Sequence, residues 1–437
     1  MIAALAVRHH ALRLRLVLLA VAVFALSGCA FSGGSTGSLQ VWTDAVRLPG
    51  FQKYEQEHPG ANLQLVSVSQ GGTAFQEQIG LFNKIDSGWP DVIWDSSTAD
   101  ISWEMSSKYA FAAPLNHGLI PKSVIKQFAP NVLNPCYQNG TLYCLRNDIA
   151  QNVLWYNQKL MAQFGYQVPT TWQQFEQLGL EVAKQHPGYV VGTAGDTYGD
   201  DIYYWGSRCP VTAQVGNDLN KVEVNLHDPN CTRMTSLLDA LLAAGSLSAD
   251  SALGPGFTKT YGSTDKVLMM VGPSWYGETL FDQSYHTPKG EMAAALPLRW
   301  QGESQTWTGD VGGGIYVISQ HSDQKAAAAS VIRFMAATTQ YQATAPTYPA
   351  YQPAAAVWLK NANSSGYFAQ DPATVFKESA GEIWPGWLYL RFPSDTIYAN
   401  VVVPAIAQKK PISSVIDEWQ SQLIAQSRAN GYQVVTG

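Results

Sequence analysis

LQVWT at Leu39–Thr43, LQLVSV at 63–68 and DVIW at 91–94 are three short apolar runs set apart by two amphipathic ones. The first amphipathic run centres on Phe51-Gln52-Lys53-Tyr54-Glu55 and is closed by His58-Pro59-Gly60. The second carries Phe75, Ile79, Phe82 and Ile85 at helical spacing and stops at Gly88. Strand, helix, strand, helix, strand is the rhythm of a doubly wound α/β unit. Ligands of such sheets sit in the loops beyond the carboxyl ends of the strands. Those loops here are Thr43-Asp44, Gln70-Gly71 and Trp94-Asp95.

The rhythm returns further along. Thr170-Thr171-Trp172-Gln173 is a capped start for a helix to about Gln185, and Met234 to Leu242 reads as another. Lys266–Val271, Ala293–Pro297 and Gly312–Ile318 read as strands; Asp323–Thr338 and Ile412–Gln426 read as helices. A chain of 437 residues, 46% of them hydrophobic, has material for two such units. Only 14% of residues are charged, which excludes a disordered or coiled-coil chain. Twenty-seven basic against 33 acidic residues gives −6, so no basic field is available for nucleic acid. Fourteen Trp and 21 Tyr are a large stock of flat surfaces, for cores or for contact.

The first residues read as a targeting segment. Arg8, Arg13 and Arg15 precede an apolar stretch from Leu16 to Leu26 that is too short to span a bilayer. Leu26-Ser27-Gly28-Cys29 resembles a bacterial lipoprotein cleavage box, which implies removal of 1–28 and a lipid on Cys29. Residues 29–38, rich in Gly and Ser, read as a flexible tether. Four cysteines then remain. Cys136 and Cys144 flank an Asn139-Gly140 hairpin turn, and Cys209 and Cys231 enclose a polar loop. Three connectivities are possible and the spacing favours local pairing, Cys136–Cys144 and Cys209–Cys231, as an exported protein would have.

The segments then resemble a known family. They are Leu39–Thr43, Pro90-Asp91-Val92, Leu154–Leu160 and Pro169–Trp172, followed by Met269–Trp275, Gly312–Gly314, the Lys325–Phe334 helix and Val403–Ala407. Their order and spacing are similar to those of extracellular solute-binding proteins of the ABC-importer carbohydrate class, the group that includes maltose-binding protein. The resemblance implies a two-lobed, periplasmic-binding-protein-like (type II) clamp, each lobe a doubly wound sheet with flanking helices. It implies discontinuous lobes, 39–148 plus 306–370 and 149–305 plus 371–437, with hinges at the crossings. Implied partners are a carbohydrate ligand, ABC permease subunits and a membrane reached through Cys29. The protein is expected to be a monomer without cofactor, metal or enzymatic activity.

Sugar chemistry selects the candidate contacts. A pyranose offers C–H patches on its faces and hydroxyls at its edge, which aromatic plates and polar side chains meet respectively. On the first lobe the candidates are Thr43, Asp44, Arg47, Gln70, Trp94 and Asp95, with Asp310 near a crossing. On the second they are Tyr204, Trp205, Trp275 and Tyr276. Tyr348, Trp384 and Trp387 complete the set, which Asp95, Trp275 and Trp384 head. Each has a plainer alternative. Trp42 and Trp94 can be core, Asp44 and Asp95 helix caps, Trp384 turn packing, and Tyr348 and Tyr351 lobe braces.

Catalytic patterns were sought as well. There is no phosphate loop of the G-x-x-x-x-G-K-[ST] type and no H-E-x-x-H. Gly33–Gly37 fits G-x-S-x-G, but no strand precedes it. A glycoside hydrolase, with two carboxylates across a sugar, is the alternative from another class, and a sensor or adhesin lipoprotein using the same clamp is a third.

Overall fold

A computed structural model describes residues 37–68 and 74–437. The leader 1–28, most of the 29–38 tether, Cys29 and Gln70 lie outside the described residues. Among those described, no helix is long and apolar enough to cross a membrane.

The first sheet has five strands. We number its strands, and those of the second sheet, in chain order: β1 Leu39–Thr43, β2 Leu63–Ser67, β3 Val92–Asp95, β4 Cys144–Arg146, β5 Asn152–Asn157, β6 Met269–Pro273, β7 Met292–Ala295 and β8 Ile315–Ile318. In the first sheet the order is β2-β1-β3-β8-β4. β1 runs parallel to β2 and β3, joined by the helices Leu48–Glu57 and Ala74–Ile85 that the apolar spacing predicts. β8 returns antiparallel from far along the chain and pairs with both β3 and β4. The second sheet places β5 between β6 and β7, antiparallel to each. Single parallel bridges, Val190 to Val267 and Thr193 to Ser248, extend it toward its helices.

β5 shows how the two cores arise. All six of its residues are buried, so both faces are covered. Val153 and Trp155 point into one hydrophobic cluster, and Leu154 and Tyr156 into the other. Strand period two therefore divides a single run of sequence between two cores. The first cluster runs unbroken from the five-stranded sheet to the near face of the second. It passes through Phe376, whose ring packs against Trp155, Tyr348 and Trp358.

Local signals are honoured closely. Thr171 caps the helix Trp172–Gln185 by accepting from the Gln174 amide, while the Gln174 side chain accepts from the Thr171 amide. Asn139 and Gly140, at φ of 50° and 78°, form the two-residue turn between short strands Tyr137–Gln138 and Thr141–Leu142. Both expected disulfides are present, Cys136–Cys144 closing that hairpin and Cys209–Cys231 closing the polar loop.

The chain crosses between the sheets near 147–151 and again near 309–314, and these crossings are bolted together. Arg146 and Asp310, each 2% exposed at the side chain, form a bidentate pair at 2.7 and 3.3 Å. Asp310 also accepts from the Ala150 amide at 3.0 Å, and Asp148 from the Gly314 amide at 2.9 Å. Gln151 and Asp310 share a β-bridge.

Two outcomes are expected. Arg146→Ala leaves Asp310 buried without its cation and should cost about 3–5 kcal/mol in denaturant unfolding; replacing both residues by apolar ones should cost much less. A loss below about 1 kcal/mol for the single change would remove the pair from its structural role. Replacing Cys209 and Cys231 by alanine should cost about 3 kcal/mol, and the same change at Cys136 and Cys144, which closes a shorter loop, should cost less.

Candidate functional site

The carboxyl ends of β1 and β3 meet the second lobe along a seam. Ser102 donates through its hydroxyl to the Leu390 carbonyl, and Gln76 through its amide to the Arg391 carbonyl at 3.2 Å.

On the first lobe, Thr43 ends β1 fully buried, and its hydroxyl has no partner. Asp44 is occupied locally: it accepts from the Arg47 amide at 2.8 Å and pairs with the Arg47 guanidinium at 3.2 Å, while Arg47 itself is the N-cap of the helix Leu48–Glu57, which has no side-chain cap. That guanidinium lies 4.2 Å above the ring of Trp94. Trp94 itself is core, 2% exposed, and its indole fills the space a side chain on Gly314 would need. Asp95 is not a helix cap. Ser97 takes that part, accepting from the Ala99 amide, and the Asp95 carboxyl stays at the strand end, 4% exposed, with Oδ2 unpartnered.

Asp95 faces a residue that periodicity did not single out. Glu104 is fully buried, and no amide, hydroxyl or ammonium reaches either of its oxygens. Burial, then the charge of Asp95 and the side-chain contact with it, pushes the Glu104 carboxyl well above the usual range. Burial raises Asp95 to about 6, the hydrogen bond from Glu104 pulling the other way. Asp100 follows: Trp103 donates its indole N–H to it at 3.0 Å, yet burial and then Asp95 hold its carboxyl well above the ordinary value.

On the second lobe the aromatics separate by depth. Tyr204 and Tyr276 are completely buried in the core, their hydroxyls engaged with Thr235 at 2.9 Å and Asp196 at 3.1 Å. Trp205 and Trp387 are also buried and stack on each other with centroids 4.8 Å apart. The Trp205 indole donates to the Trp384 carbonyl at 2.8 Å and so fixes that turn. Trp384 remains half-buried over Gly386. Trp275 is half-buried too, held by an indole hydrogen bond to the Val311 carbonyl at 2.9 Å and by the edge of Tyr276. Tyr348 braces: its ring packs on Trp358 and Phe376 and its carbonyl accepts from the Ile149 amide. Asp310 has its oxygens committed to Arg146, Ala150 and the Tyr389 hydroxyl.

More carboxylates stand on this side than the strand-end rule selects. Asp200 is fully buried with neither oxygen in a well-formed hydrogen bond; burial, then Asp395, raises it to about 8. Burial also raises Asp201 and Asp395. These acids escaped the sequence reading because they sit in loop and helix-start positions where acids are ordinarily solvated. The repeated Asp200-Asp201 next to an aromatic run was the one available signal. Among the described residues no group of three or more His, Cys, Asp or Glu could hold a metal ion.

The same fold recurs in solved structures. One is the ABC transporter associated binding protein from B. animalis subsp. lactis Bl-04 in complex with beta-1,6-galactobiose. It has a TM-score of 0.74 at 19% identity, covering 91% of this chain and 99% of that one. Another is the galacto-N-biose-/lacto-N-biose I-binding protein from Bifidobacterium longum in complex with lacto-N-biose. Its TM-score is 0.76 at 14% identity, covering 92% and 100%. The sugar-binding protein MalE from Xanthomonas citri has a TM-score of 0.67 at 15% identity, covering 90% and 98%. No curated protein sequence matches. Identities this low establish the two-lobed type II binding-protein fold. A family model described as bacterial extracellular solute-binding protein matches residues 37–342, more than two thirds of the sequence. The chain therefore belongs to the bacterial extracellular solute-binding protein family.

Proposed function

We propose that the protein is the solute-capturing component of an ABC importer and closes its seam on a carbohydrate, a di- or oligosaccharide. The observation that carries this reading is Trp275, an indole whose N–H is held by the Val311 carbonyl and whose ring is held by the edge of Tyr276, left half-buried near Gly312 and the Ser96 carbonyl. A pinned aromatic plate next to carboxylates is what a sugar face and its hydroxyl edge require. That two proteins of the same fold were solved with disaccharides supports the class.

In this reading Asp95 accepts from sugar hydroxyls and Trp275 and Trp384 supply plates. Thr43, Asp44, Arg47, Gln70 and Trp94 shape the first-lobe wall. Tyr204, Trp205, Tyr276, Tyr348, Trp387 and Asp310 hold the contacting groups in place. The lobes would be 39–148 plus 306–370 and 149–305 plus 371–437. The solute adds free energy only to the state in which both lobes touch it, and so shifts the population toward closure. The closed form would deliver the solute to a membrane permease. Cleavage before Cys29 and lipidation there would tether the monomer outside the cytoplasmic membrane, and no turnover is expected of it.

A thermal-shift screen of mono-, di- and oligosaccharides against amino acids and polyamines tests this. At a hundred times its dissociation constant, a binding saccharide should add about 2.7 kcal/mol of stability. Trp275→Ala should weaken that saccharide by about 1.5 kcal/mol, roughly tenfold, and Trp275→Phe by less. A shift given by another solute class alone would sink the carbohydrate assignment. Unchanged affinity in Trp275→Ala would sink the plate.

A further inference from the structure

Away from the seam, the second lobe carries a hollow between two consecutive helices. The helix Gln158–Phe164 ends at Gly165, whose amide bonds the Ala162 carbonyl at 3.2 Å, and the Tyr166 amide then bonds the Met161 carbonyl at 2.9 Å. This turn sets Phe164 and Tyr166 along one side of a concavity of about 390 Å³, a size within the range of small-molecule sites. The other side is one face of the helix Trp172–Gln185, where Gln174, Gln177, Leu178 and Glu181 recur at helical spacing. None of the candidate solute contacts lines the hollow, and Phe164, Tyr166 and Val168 pack against the second core alone.

Its rings are already held in place. Phe164 stacks on His186 with centroids 3.7 Å apart, and Tyr166 and Tyr189 stand edge-on to both. The polar groups, by contrast, are left over. Gln174 gives its carbonyl oxygen to the helix cap, accepting from the Thr170 and Thr171 amides at 2.9 and 3.2 Å, so its amide donors are held in position and unused. Among the described residues, the side chains of Gln167, Gln177 and Glu181 and the Tyr166 hydroxyl have no hydrogen-bond partner. Carboxamides and a phenol both donate and accept, as sugar hydroxyls do. No guanidinium or ammonium lines the hollow to select an anion, and a lone carboxylate is too little to hold a metal ion.

We propose that this hollow is a second saccharide site, taking a neutral sugar unit with one ring face against Tyr166 and its hydroxyls among Gln174, Gln177 and Glu181. It goes beyond solute capture at the seam and stands or falls apart from it. Gln167, Gln174, Gln177 and Glu181 are exposed, so a sugar enters and leaves without any movement of the lobes. Such a site is weak, with a dissociation constant on the order of millimolar, because much of the bound sugar stays in water. Its fitting occupant is one unit of a longer saccharide, whose repeats compensate for a weak single contact.

Fluorine NMR of the purified protein carrying 3-fluorotyrosine tests the proposal at the hollow itself. The Tyr166 resonance is assigned by its loss in Tyr166→Phe. Maltotriose, cellotriose and beta-1,6-galactobiose are then titrated to about ten times the expected dissociation constant. At least one of them should move that resonance along a saturating curve, with the same midpoint in Trp275→Ala. Gln177→Ala, a change at an exposed position that the fold tolerates, should raise the midpoint about three- to tenfold, the loss of one neutral hydrogen bond. A Tyr166 resonance that no saccharide moves overturns the second site and leaves the seam reading intact, since thermal shift reads the seam separately. Movement that disappears in Trp275→Ala would be an echo of binding at the seam and overturns it too, as does a midpoint indifferent to Gln177→Ala. Movement given by acetyl-tetraalanine amide and by no sugar would make the hollow a peptide groove and likewise overturn the proposal.

Discussion

A single buried ion pair carries the connection between the lobes. Arg146 closes β4 of the first sheet, and Asp310 lies on the segment that leads back into β8, bridged to Gln151. Burial alone would discourage a charged guanidinium, but Asp310 and the other acids nearby outweigh it and keep the charge in place. The backbone makes room for this. Gly313, at φ of 69°, passes so close to the Arg146 guanidinium that a Cβ there would overlap it. Beside it, Gly314 lies flat against the Trp94 ring. The triple glycine Gly312–Gly314 is thus a packing requirement at the point where the chain returns to the first sheet, and it brings Trp275, Val311 and Ser96 close together.

The crossings are held firmly, and the two halves also meet at the seam beyond β1 and β3. There the physical balance is unusual. Surface acids cost little, but Asp95, Glu104 and Asp200 have been taken out of water with few donors to replace it. Burial and the neighbouring Asp95 push the Glu104 carboxyl well above its usual range, so protonation relieves part of the cost. Such an arrangement is a poor way to stabilise a fold, and groups of this kind concentrate where a protein meets a ligand.

Much of the scaffold could be read from the sequence, for local reasons. Alternation in Leu39–Thr43, the helical spacing of Phe75, Ile79 and Phe82, the Thr171–Gln174 capping box and the Asn139-Gly140 turn are each settled within a few residues, and local propensity is enough to name them. The site was less legible. Strand-end positions led to Asp95 and Trp275, but Tyr276, the very next residue, turns into the core, and Tyr204 lies deeper still. Glu104 was invisible because its burial depends on Phe111, whose amide bonds the Glu104 carbonyl, and on β3 coming past it. Only tertiary placement makes that glutamate part of a site.

The aromatic surplus follows the same division and explains why composition alone was ambiguous. An indole has a large apolar area and one donor, so its destination depends on where an acceptor is available. Trp155 finds the Pro273 carbonyl inside the core and is lost to contact, whereas Trp275 finds Val311 at the crossing and stays half-buried. Trp205 finds Trp384's carbonyl, burying one ring while steadying the turn that carries another. The donors of buried tryptophans thereby decide which of their neighbours remain at the surface. Under the solute-binding role proposed above, Trp275 and Trp384 would each be anchored by the aromatic core behind them, so binding would require little further ordering of side chains.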